Sequence, residues 1–257
     1  MTAAPVVPIV PIVPIAAGIS AHELVFSYPG GGGALDGVSF SIAAGEAVAL
    51  IGGNGGGKTT LLQHLNGVLR PDSGEVRING ELLTDDNLAA MRRRVGLIFQ
   101  NADDQLFMPT VQEDVAFGLA NSGLEATEIA ERTAAALAAA GVAHLAARAP
   151  HRLSGGEKRA VAIAGVLAMQ PQILVMDEPG DGLDMAARRQ LINTLATMQQ
   201  TRIIATHDLH LVLELCPRVL VMREGRIEAD GRPEEIFADA ELLQRCRLEA
   251  PPLWSPP

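Results

Sequence analysis

Lysine and aromatic residues are both scarce in this chain. Phe, Trp and Tyr together make up 3% of its 257 residues, and the formal net charge at pH 7 is -10. A nucleic-acid partner favours a basic surface that neutralises phosphates and aromatic rings on which bases stack. The composition therefore argues against nucleic acid as a partner.

The scarcity of lysine draws attention to two positions. Of the 20 basic residues only Lys58 and Lys158 are lysine, and all others are arginine. The lysine ammonium is a compact point charge, whereas the arginine guanidinium is a planar fork. A chain that otherwise uses arginine but has Lys58 next to a glycine-rich segment indicates a site that needs an ammonium group. Lys158 is interpreted as a solvated helix residue.

Cysteine is rare as well, and Cys216 and Cys246 are the two present. They form no metal-ligand spacing, which favours a reducing compartment without a disulfide framework. Hydrophobic residues make up 48% of the chain and charged residues 19%, as in ordinary globular proteins. This length predicts one large domain or two closely joined lobes.

The first residues are uncharged, since no charge precedes Glu23. Proline recurs there at every third position, which blocks an α-helix and favours polyproline II: Pro5, Pro8, Pro11 and Pro14. We predict a Pro-rich apolar tail over residues 1–20 rather than a membrane span or a secretory signal. Docking to a partner or a membrane surface is the alternative. No other segment is long and apolar enough to cross a bilayer.

Apolar runs and their spacing predict an α/β organisation. Short apolar runs bounded by turns predict strands at 23–28, 37–42, 46–52, 95–99, 173–176 and 202–205. The continuous runs 173–176 and 202–205 are typical of a parallel sheet buried on both faces. Helical periodicity predicts helices from Lys58, after Gly156 (Val161, Ile163, Val166 and Leu167 inward) and over 184–199, and a small helical lobe over 111–147. Residues 219–222 and 226–229 predict a terminal hairpin.

A glycine-rich segment lies between a predicted strand and a predicted helix. It fits the P-loop pattern Gly-x4-Gly-Lys-Ser/Thr, in which glycines let backbone amides wrap phosphates at a helix N-terminus. Lys58 would reach the terminal phosphates, and Thr59 would offer its hydroxyl to Mg²⁺. The nucleotide-binding residues predicted here are Gly52, Gly53, Asn54, Gly55, Gly56, Gly57, Lys58, Thr59 and Thr60.

A second element resembles Walker B. The apolar strand from Ile173 ends in the paired carboxylates Asp177 and Glu178. Asp177 would hold magnesium through water, and Glu178 would polarise the attacking water. By itself, a strand that ends in Asp-Glu is weak evidence for a Walker B element. The same strand is strong evidence when it follows a P-loop, as it does here.

A third element narrows the class of nucleotide enzyme. Leu153 and the next four residues, Ser154, Gly155, Gly156 and Glu157, begin a predicted helix between the P-loop and Walker B. This segment resembles the signature of ATP-binding-cassette proteins, in which the serine and the glycine amides form an anion-binding helix terminus. The chain is therefore similar to that family over roughly residues 22–235.

The resemblance implies roles for four further residues. Gln100, after a predicted strand, matches the Q-loop glutamine that senses magnesium and the attacking water. Asp184 matches the D-loop, and His207 matches the switch histidine that contacts the γ-phosphate. Tyr28, the only tyrosine, matches the aromatic that stacks on adenine.

The resemblance also implies the fold class and the domains. We expect an α/β P-loop NTPase cassette with a mostly parallel core sheet, an N-terminal antiparallel β subdomain and an inserted helical lobe. The cassette would span 21–240, with the helical lobe at about 101–160 and a C-terminal extension over 241–257. Three positions depart from the family pattern: Gly53 and Met185 where proline is common, and Gly180 where a small hydroxyl residue is common.

Residues 99–107 resemble the Q-loop region of one branch of the family, the energy-coupling-factor importers, and most of all their cobalt and nickel uptake ATPases. The same branch is resembled by residues 65–67, 110–111, 113–118, 242–243 and 248–252. This implies an ATP- and Mg²⁺-dependent ATPase that works as a homodimer or paralogue dimer. Its partners would be a transmembrane coupling subunit and a substrate-binding membrane subunit, and it would be peripheral at the cytoplasmic face of the inner membrane. A vitamin importer of the same branch, a soluble single-cassette ATPase in cofactor assembly and a binding-only cassette are the alternatives.

The same branch predicts where the transmembrane subunit docks. Its short helices carry an arginine and insert beside the Q-loop. Asp103 and Asp104 could accept that arginine, while Leu106 and Phe107 pack the helix. The alternative is a solvated acidic turn.

Overall fold

The computed structural model describes residues 18–31 and 33–251. The predicted Pro-rich tail with Pro5, Pro8, Pro11 and Pro14 lies outside the described residues, except for its last three, and so does most of the irregular C-terminal end. The chain divides into two compact units, one formed mainly by residues 101–170 and the other by residues 16–100 together with 171–257. Each unit is described separately below.

Within its described residues, the larger unit contains ten strands. In chain order they are β1 (Ile19–Ser27), β2 (Gly33–Ile42), β3 (Ala47–Ile51), β4 (Ser73–Ile78), β5 (Glu81–Leu82), β6 (Val95–Ile98), β7 (Ile173–Asp177), β8 (Thr201–Ala205), β9 (Arg218–Arg223) and β10 (Arg226–Gly231). The described helices of both units are α1 (Lys58–Leu65), α2 (Leu88–Arg94), α3 (Val111–Ala120), α4 (Ala126–Ala139), α5 (Gly155–Ala168), α6 (Met185–Ala196), α7 (Leu209–Leu215), α8 (Pro233–Ala238) and α9 (Ala240–Arg245).

The strands of the larger unit form two sheets. Four strands pair in the order β2-β1-β4-β5, all antiparallel, and six pair in the order β10-β9-β3-β8-β7-β6. In the second sheet only β10 pairs antiparallel, with β9, and the other pairs are parallel. This confirms the predicted α/β cassette with a mostly parallel core sheet, an N-terminal antiparallel sheet and a terminal hairpin.

The central strands β3, β7 and β8 are buried along their whole length. Helices must therefore cover both faces of the sheet, which explains why these strands read as continuous apolar runs. Because parallel strands end at the same edge, the segments that follow β3, β6, β7 and β8 are all at the carboxyl edge of the sheet.

Strand β1 begins four residues earlier than predicted. Its pairing with β2 shifts register between Ala21 and Leu24, and Glu23 has a positive φ of 48°. Because of this bulge, the consecutive residues His22 and Glu23 are both exposed to solvent. The alternation of buried and exposed residues, by which a strand is predicted from sequence, is interrupted there. The amide of Glu23 bonds instead to the Ser39 hydroxyl at 2.8 Å.

The smaller unit consists of helices α3, α4 and α5 around an apolar core. That core includes Val111, Val115, Leu119, Leu137, Leu145 and Val161. Helix α5 begins at Gly155, two residues before the predicted start after Gly156, and its Val161 and Ile163 are buried as predicted. Val166 and Leu167 are only half-buried, so the predicted inward face was too wide. In neither unit is any described helix both long and apolar enough to span a bilayer.

Candidate nucleotide site

The glycine-rich loop connects β3 to α1, as predicted, and passes close to the backbone of β9. Gly52 has a φ of 151° and Gly57 a φ of 100°, both in the region that favours glycine. A Cβ at Gly52 would overlap the Met222 carbonyl oxygen, and a Cβ at Gly57 would overlap the Ala34 carbonyl oxygen. Backbone packing therefore requires glycine at both positions.

The turn between β9 and β10 holds the loop in place. The Gly225 amide donates to the Gly56 carbonyl at 3.1 Å, and the Gly225 carbonyl accepts from the Asp36 amide at 2.9 Å. Asp36 also pairs with Arg226 at 2.5 Å. Sequence reasoning missed Gly225 as a residue of this site. A glycine between two predicted strands marks a turn, but nothing local indicates which backbone group it contacts.

The ammonium group of Lys58 lies inside the loop. Its Nζ donates to the carbonyl oxygens of Gly52 at 2.7 Å and Gly53 at 3.2 Å. Burial lowers the pKa of Lys58, while the nearby carboxylates of Glu178 and Asp177 act in the opposite direction. The loop thus holds a compact, partly desolvated cation close to two acids.

The P-loop and the Walker B strand meet at a short hydrogen bond. Thr59 Oγ1 donates to Asp177 Oδ2 at 2.6 Å. Asp177 is the last residue of β7 and is 4% exposed. A hydroxyl and a carboxylate side by side are hard oxygen donors, the kind that Mg²⁺ prefers. Among the described residues, this site included, no group of three or more His, Cys, Asp or Glu is placed to hold a metal by itself.

Glu178 follows Asp177 in a backbone conformation that side chains rarely adopt. Its φ is 45°, and its amide donates to the Ala205 carbonyl at 2.8 Å. The residue is buried, and its Oε2 lies 2.9 Å from His207 Nδ1 and accepts from the His207 amide at 3.2 Å. Strained residues that the surrounding structure holds in place often occur at functional sites. The structure therefore brings Glu178 and His207 together, at the ends of β7 and β8.

The predicted adenine residue contacts the helix that follows the P-loop. Tyr28 is 43% exposed, and its hydroxyl lies 3.1 Å from Thr60 Oγ1. Phe26 packs edge-on against the Tyr28 ring, with centroids 5.0 Å apart. The exposed ring of Tyr28 is thus anchored beside α1 by one hydrogen bond and one aromatic contact.

Gln100 and Asp184 also belong to the larger unit. Gln100 is exposed and follows β6 by two residues, at the carboxyl edge of the sheet. Asp184 caps the N-terminus of α6, where its Oδ1 accepts from the Ala187 amide at 2.8 Å. The next residue, Met185, is 89% exposed. Gly180 has room for a side chain, because a Cβ built there would lie 4.0 Å from its nearest neighbour, Asp208 Oδ2.

The signature segment belongs to the smaller unit and forms a capping box. Ser154 Oγ accepts from the Glu157 amide at 3.3 Å, and Glu157 Oε2 accepts from the Ser154 amide at 2.7 Å. These bonds lower the pKa of Glu157. Gly155 and Gly156 form the first turn of α5 between the two caps.

Lys158 is not the solvated residue that the sequence suggested. Its side chain is only 19% exposed, and its Nζ lies 2.6 Å from Asp103 Oδ1. The contact links the start of α5 to the turn after Gln100, so a partner for Asp103 is already present within the chain. Sequence reasoning missed this pair because 55 residues separate its members.

The two apolar residues of the predicted docking surface, Leu106 and Phe107, differ in exposure. Leu106 packs against the helical core, whereas Phe107 is 64% exposed. The ring of Phe107 meets that of Phe117, itself 43% exposed, at a centroid distance of 4.9 Å. Asp114 Oδ1 accepts from the Phe107 and Met108 amides and so fixes the loop.

The two-sheet α/β fold, with its glycine loop, buried acids and carboxyl-edge histidine, defines a P-loop nucleotide-binding cassette. A family model for the ABC transporter family matches residues 35–181, more than half of the chain. The chain belongs to the ABC transporter ATP-binding cassette family, whose members are ATPases.

Several of the similar proteins carry names from one branch of the family, the energy-coupling-factor transporters. An energy-coupling factor transporter ATP-binding protein, EcfA of Methanothermobacter thermautotrophicus, is 48% identical over 238 residues (91% of this chain and 76% of that one). The structure of cbiO1 from Clostridium perfringens, part of the ABC transporter complex cbiONQ, has a TM-score of 0.77 and 40% identity, covering 88% of this chain and 93% of that one. A dimeric ATP-binding cassette, MJ0796, bound to ADP and Pi, has a TM-score of 0.77 and 28% identity, covering 84% and 98%. The resemblance to energy-coupling-factor ATPases is thereby confirmed.

Proposed function

We propose that this chain is the ATP-hydrolysing subunit of an energy-coupling-factor importer, with cobalt or nickel ions as cargo. The ATPase part rests on one arrangement, in which the Thr59–Asp177 pair and the Glu178–His207 pair lie at the carboxyl edge of one parallel sheet. Such an edge is where ligands bind in open α/β sheets.

The nucleotide would be held by backbone amides and one ammonium. The amides of the loop from Gly52 to Gly57 bind the phosphates, and Lys58 neutralises their charge. Tyr28 stacks on the adenine, and Thr60, which contacts the Tyr28 hydroxyl, lies beside it. Asn54 and the exposed Gly55 complete the loop.

The donor set at Thr59 and Asp177 fits a magnesium ion, since it offers a hydroxyl and a carboxylate oxygen. Gln100 adds an amide oxygen at the same edge of the sheet. Magnesium would supply positive charge that neutralises the charge developing on the phosphate oxygens during phosphoryl transfer. Thr59, Asp177 and Gln100 would hold it.

Glu178 would take the role of the group that polarises the attacking water. It is a buried carboxylate, and its Oε2 lies 2.9 Å from Nδ1 of the His207 imidazole. In that position His207 orients the carboxylate and keeps its own exposed face toward the γ-phosphate. The D-loop residue Asp184 fixes the start of α6 near this edge.

The active form would be a head-to-tail dimer of cassettes. Ser154, Gly155, Gly156 and Glu157 of one copy would close the nucleotide site of the other, because the partial positive charge of a helix N-terminus suits the γ-phosphate. The cassette MJ0796, with which this chain shares its fold, is dimeric when bound to ADP and Pi, which supports a dimer.

The exposed aromatic pair Phe107 and Phe117 would receive the transmembrane coupling subunit. Exposed large apolar groups next to a carboxylate suit a helix that carries an arginine. Since Asp103 is paired with Lys158, Asp104 is the acid that remains for this contact. The ATPase would then lie at the cytoplasmic face of the membrane, with a substrate-binding membrane subunit in the same complex.

This docking proposal is tested by copurification in detergent. We expect Asp104→Ala combined with Phe107→Ala to keep nucleotide binding and to lose at least tenfold in recovery of the membrane subunit, since a truncated charge pair typically loses about 2–5 kcal/mol. Glu131→Ala, an exposed acid on α4 of the same unit, is the matched control. Equal recovery for the two variants would contradict the docking surface.

The cargo is tested in cells. Deletion of the gene should lower cobalt or nickel accumulation under metal limitation and leave vitamin uptake unchanged. The opposite pattern would favour a vitamin importer of the same branch. Normal uptake of both, with failure to copurify with any polytopic membrane protein, would favour a soluble ATPase in cofactor assembly.

A further inference from the structure

One ion pair outside the nucleotide-binding residues ends next to the switch histidine. Asp208 follows His207 and caps the N-terminus of α7, where its Oδ1 accepts from the Leu211 amide at 3.1 Å. Both carboxylate oxygens also accept from Arg188, Oδ1 from Nη2 at 2.6 Å and Oδ2 from Nε. This bidentate geometry fixes direction as well as distance.

The other end of the pair is in the D-loop turn. Arg188 lies in the first turn of α6, and its amide donates to the Asp184 carbonyl at 2.9 Å. The Arg188 side chain therefore spans from the turn that Asp184 caps to the turn that carries His207. Both charged side chains are largely covered, at 27% and 19% exposure.

The position of Asp208 in turn fixes the histidine. The Asp208 amide donates to the Thr206 hydroxyl at 3.0 Å, so residues 206–208 form a local turn. Within that turn the His207 amide and Nδ1 both contact Glu178 Oε2. A shift of Asp208 would also move His207, because a peptide bond joins the His207 carbonyl carbon to the Asp208 nitrogen.

A second pair between the same helices has none of these connections. Arg189 on α6 pairs with Glu214 on α7, with 53% and 39% of the side chains exposed. It joins the helices but does not touch the turns of Asp184 or His207. If the only role of these ion pairs were to hold α6 against α7, removing either pair should have the same effect on ATP hydrolysis.

We propose that Arg188 is a positioning residue for hydrolysis, which holds His207 against Glu178 by fixing the carboxylate of Asp208. The inference rests on the proposed roles of Glu178 and His207. Arg188 touches neither nucleotide nor water in this account, and it acts through Asp208. The same contact ties the D-loop turn to the switch histidine.

The charge state of Asp208 is compatible with this role. Burial raises the pKa of Asp208, but the hydrogen bonds from Arg188 and from the amides of α7 outweigh that effect and leave the pKa below its usual value. The carboxylate is therefore ionised at neutral pH, and the pair remains formed.

The test compares Arg188→Met with Arg189→Met in the purified full chain, by steady-state ATP hydrolysis and by binding of a fluorescent ATP analogue. For Arg188→Met we expect kcat to fall by about tenfold to a hundredfold, as for a misplaced catalytic group, with KM changed less than about twofold. For Arg189→Met we expect wild-type kcat. Arg188→Lys keeps the charge but loses the fork, so it should recover only part of the rate.

Asp208→Asn is the second test variant, and its amide side chain can still cap the N-terminus of α7. We expect a loss of kcat like that of Arg188→Met, and no further loss when the two changes are combined, because both remove the same contact. Equal kcat for Arg188→Met and Arg189→Met, or additive losses in the double variant, would overturn the inference. Wild-type hydrolysis by Glu178→Gln, measured in parallel, would instead overturn the proposed role of Glu178.

Discussion

The hydroxyl of Thr59 donates to the carboxylate of Asp177 at 2.6 Å, across 118 residues of sequence. Thr59 is the second residue of α1, and Asp177 is the last residue of β7. The contact exists because β3 and β7 are both in the central parallel sheet, with β8 between them, and end at the same edge. The fold thus converts two distant sequence signals into one oxygen-rich pair beside the ammonium of Lys58.

Lys58 is expected to tolerate neither alanine nor arginine. Its Nζ is held by the carbonyl oxygens of Gly52 and Gly53 inside a tight loop, so Lys58→Ala removes the cation and Lys58→Arg brings a bulkier planar group. We expect both variants to lose at least about tenfold in ATP affinity or turnover, measured by equilibrium binding and steady-state hydrolysis. The exposed Arg93→Lys on α2 controls for a general exchange of cation type. Normal affinity and turnover in Lys58→Arg would contradict the requirement for an ammonium.

The loop glycines are expected to differ sharply in tolerance. Gly57→Ala places a Cβ on the Ala34 carbonyl at a φ of 100°, and we expect a loss of about 1–3 kcal/mol in the free energy of unfolding. Gly53 has no positive φ, and its Cβ would lie 3.6 Å from the Cys246 carbonyl, an ordinary contact. Gly53→Ala should therefore be neutral or stabilise by up to about 1 kcal/mol, through the lower entropy of the unfolded chain. Urea unfolding of both variants decides this, and equal stabilities would contradict the packing described for Gly57.

The negative charge on the Asp114 carboxylate is expected to lower the free energy of unfolding at neutral pH. Burial raises its pKa above the usual value, against the opposing effect of the Phe107 and Met108 amides, and its Oδ2 has no hydrogen-bond partner. A carboxyl whose folded pKa is raised contributes stability below its unfolded pKa and loses that contribution as the pH rises through the folded pKa. Asp114→Asn retains an acceptor for the two amides and carries no charge.

We therefore expect Asp114→Asn to match or exceed the wild type at pH 7, by no more than about 1 kcal/mol. The difference should shrink as the pH falls toward the ordinary range of an aspartic acid. Thermal unfolding from pH 4 to 8 measures it, with Glu131→Gln on the exposed face of α4 as the control. A variant that is less stable at pH 7 than at pH 4, relative to wild type, would contradict the sign.

The sequence predicted best those features that local residue patterns encode. The loop at Gly52, the helix from Lys58 and the buried strand that ends at Asp177 follow from glycine content and apolar runs, and the structure confirms all three elements. Contacts between distant segments were missed, among them Gly225 with Gly56 and Lys158 with Asp103. Nothing in a local pattern selects such partners.

Several elements were also missed for physical reasons. The sequence predicted no strand or helix over residues 73–94, where β4, β5 and α2 lie. β4 alternates only at its end, where Val76 and Ile78 are buried, and β5 has just two residues, both exposed. Within α2 only Met91 is buried. Tertiary contacts rather than intrinsic patterning define such elements.

In the proposed mechanism, Glu178 polarises the attacking water in a dimer closed by the signature helix of a second copy. Glu178→Gln keeps an oxygen that can accept from the His207 amide but removes the carboxylate. Hydrolysis rate and molar mass are to be measured together, with and without ATP, by steady-state assay and light scattering after size exclusion. We predict ATP binding near wild type, a loss of at least about a hundredfold in kcat and a stable dimer that forms only with ATP. Hydrolysis at the wild-type rate, or a chain that stays monomeric when saturated with ATP, would contradict the account.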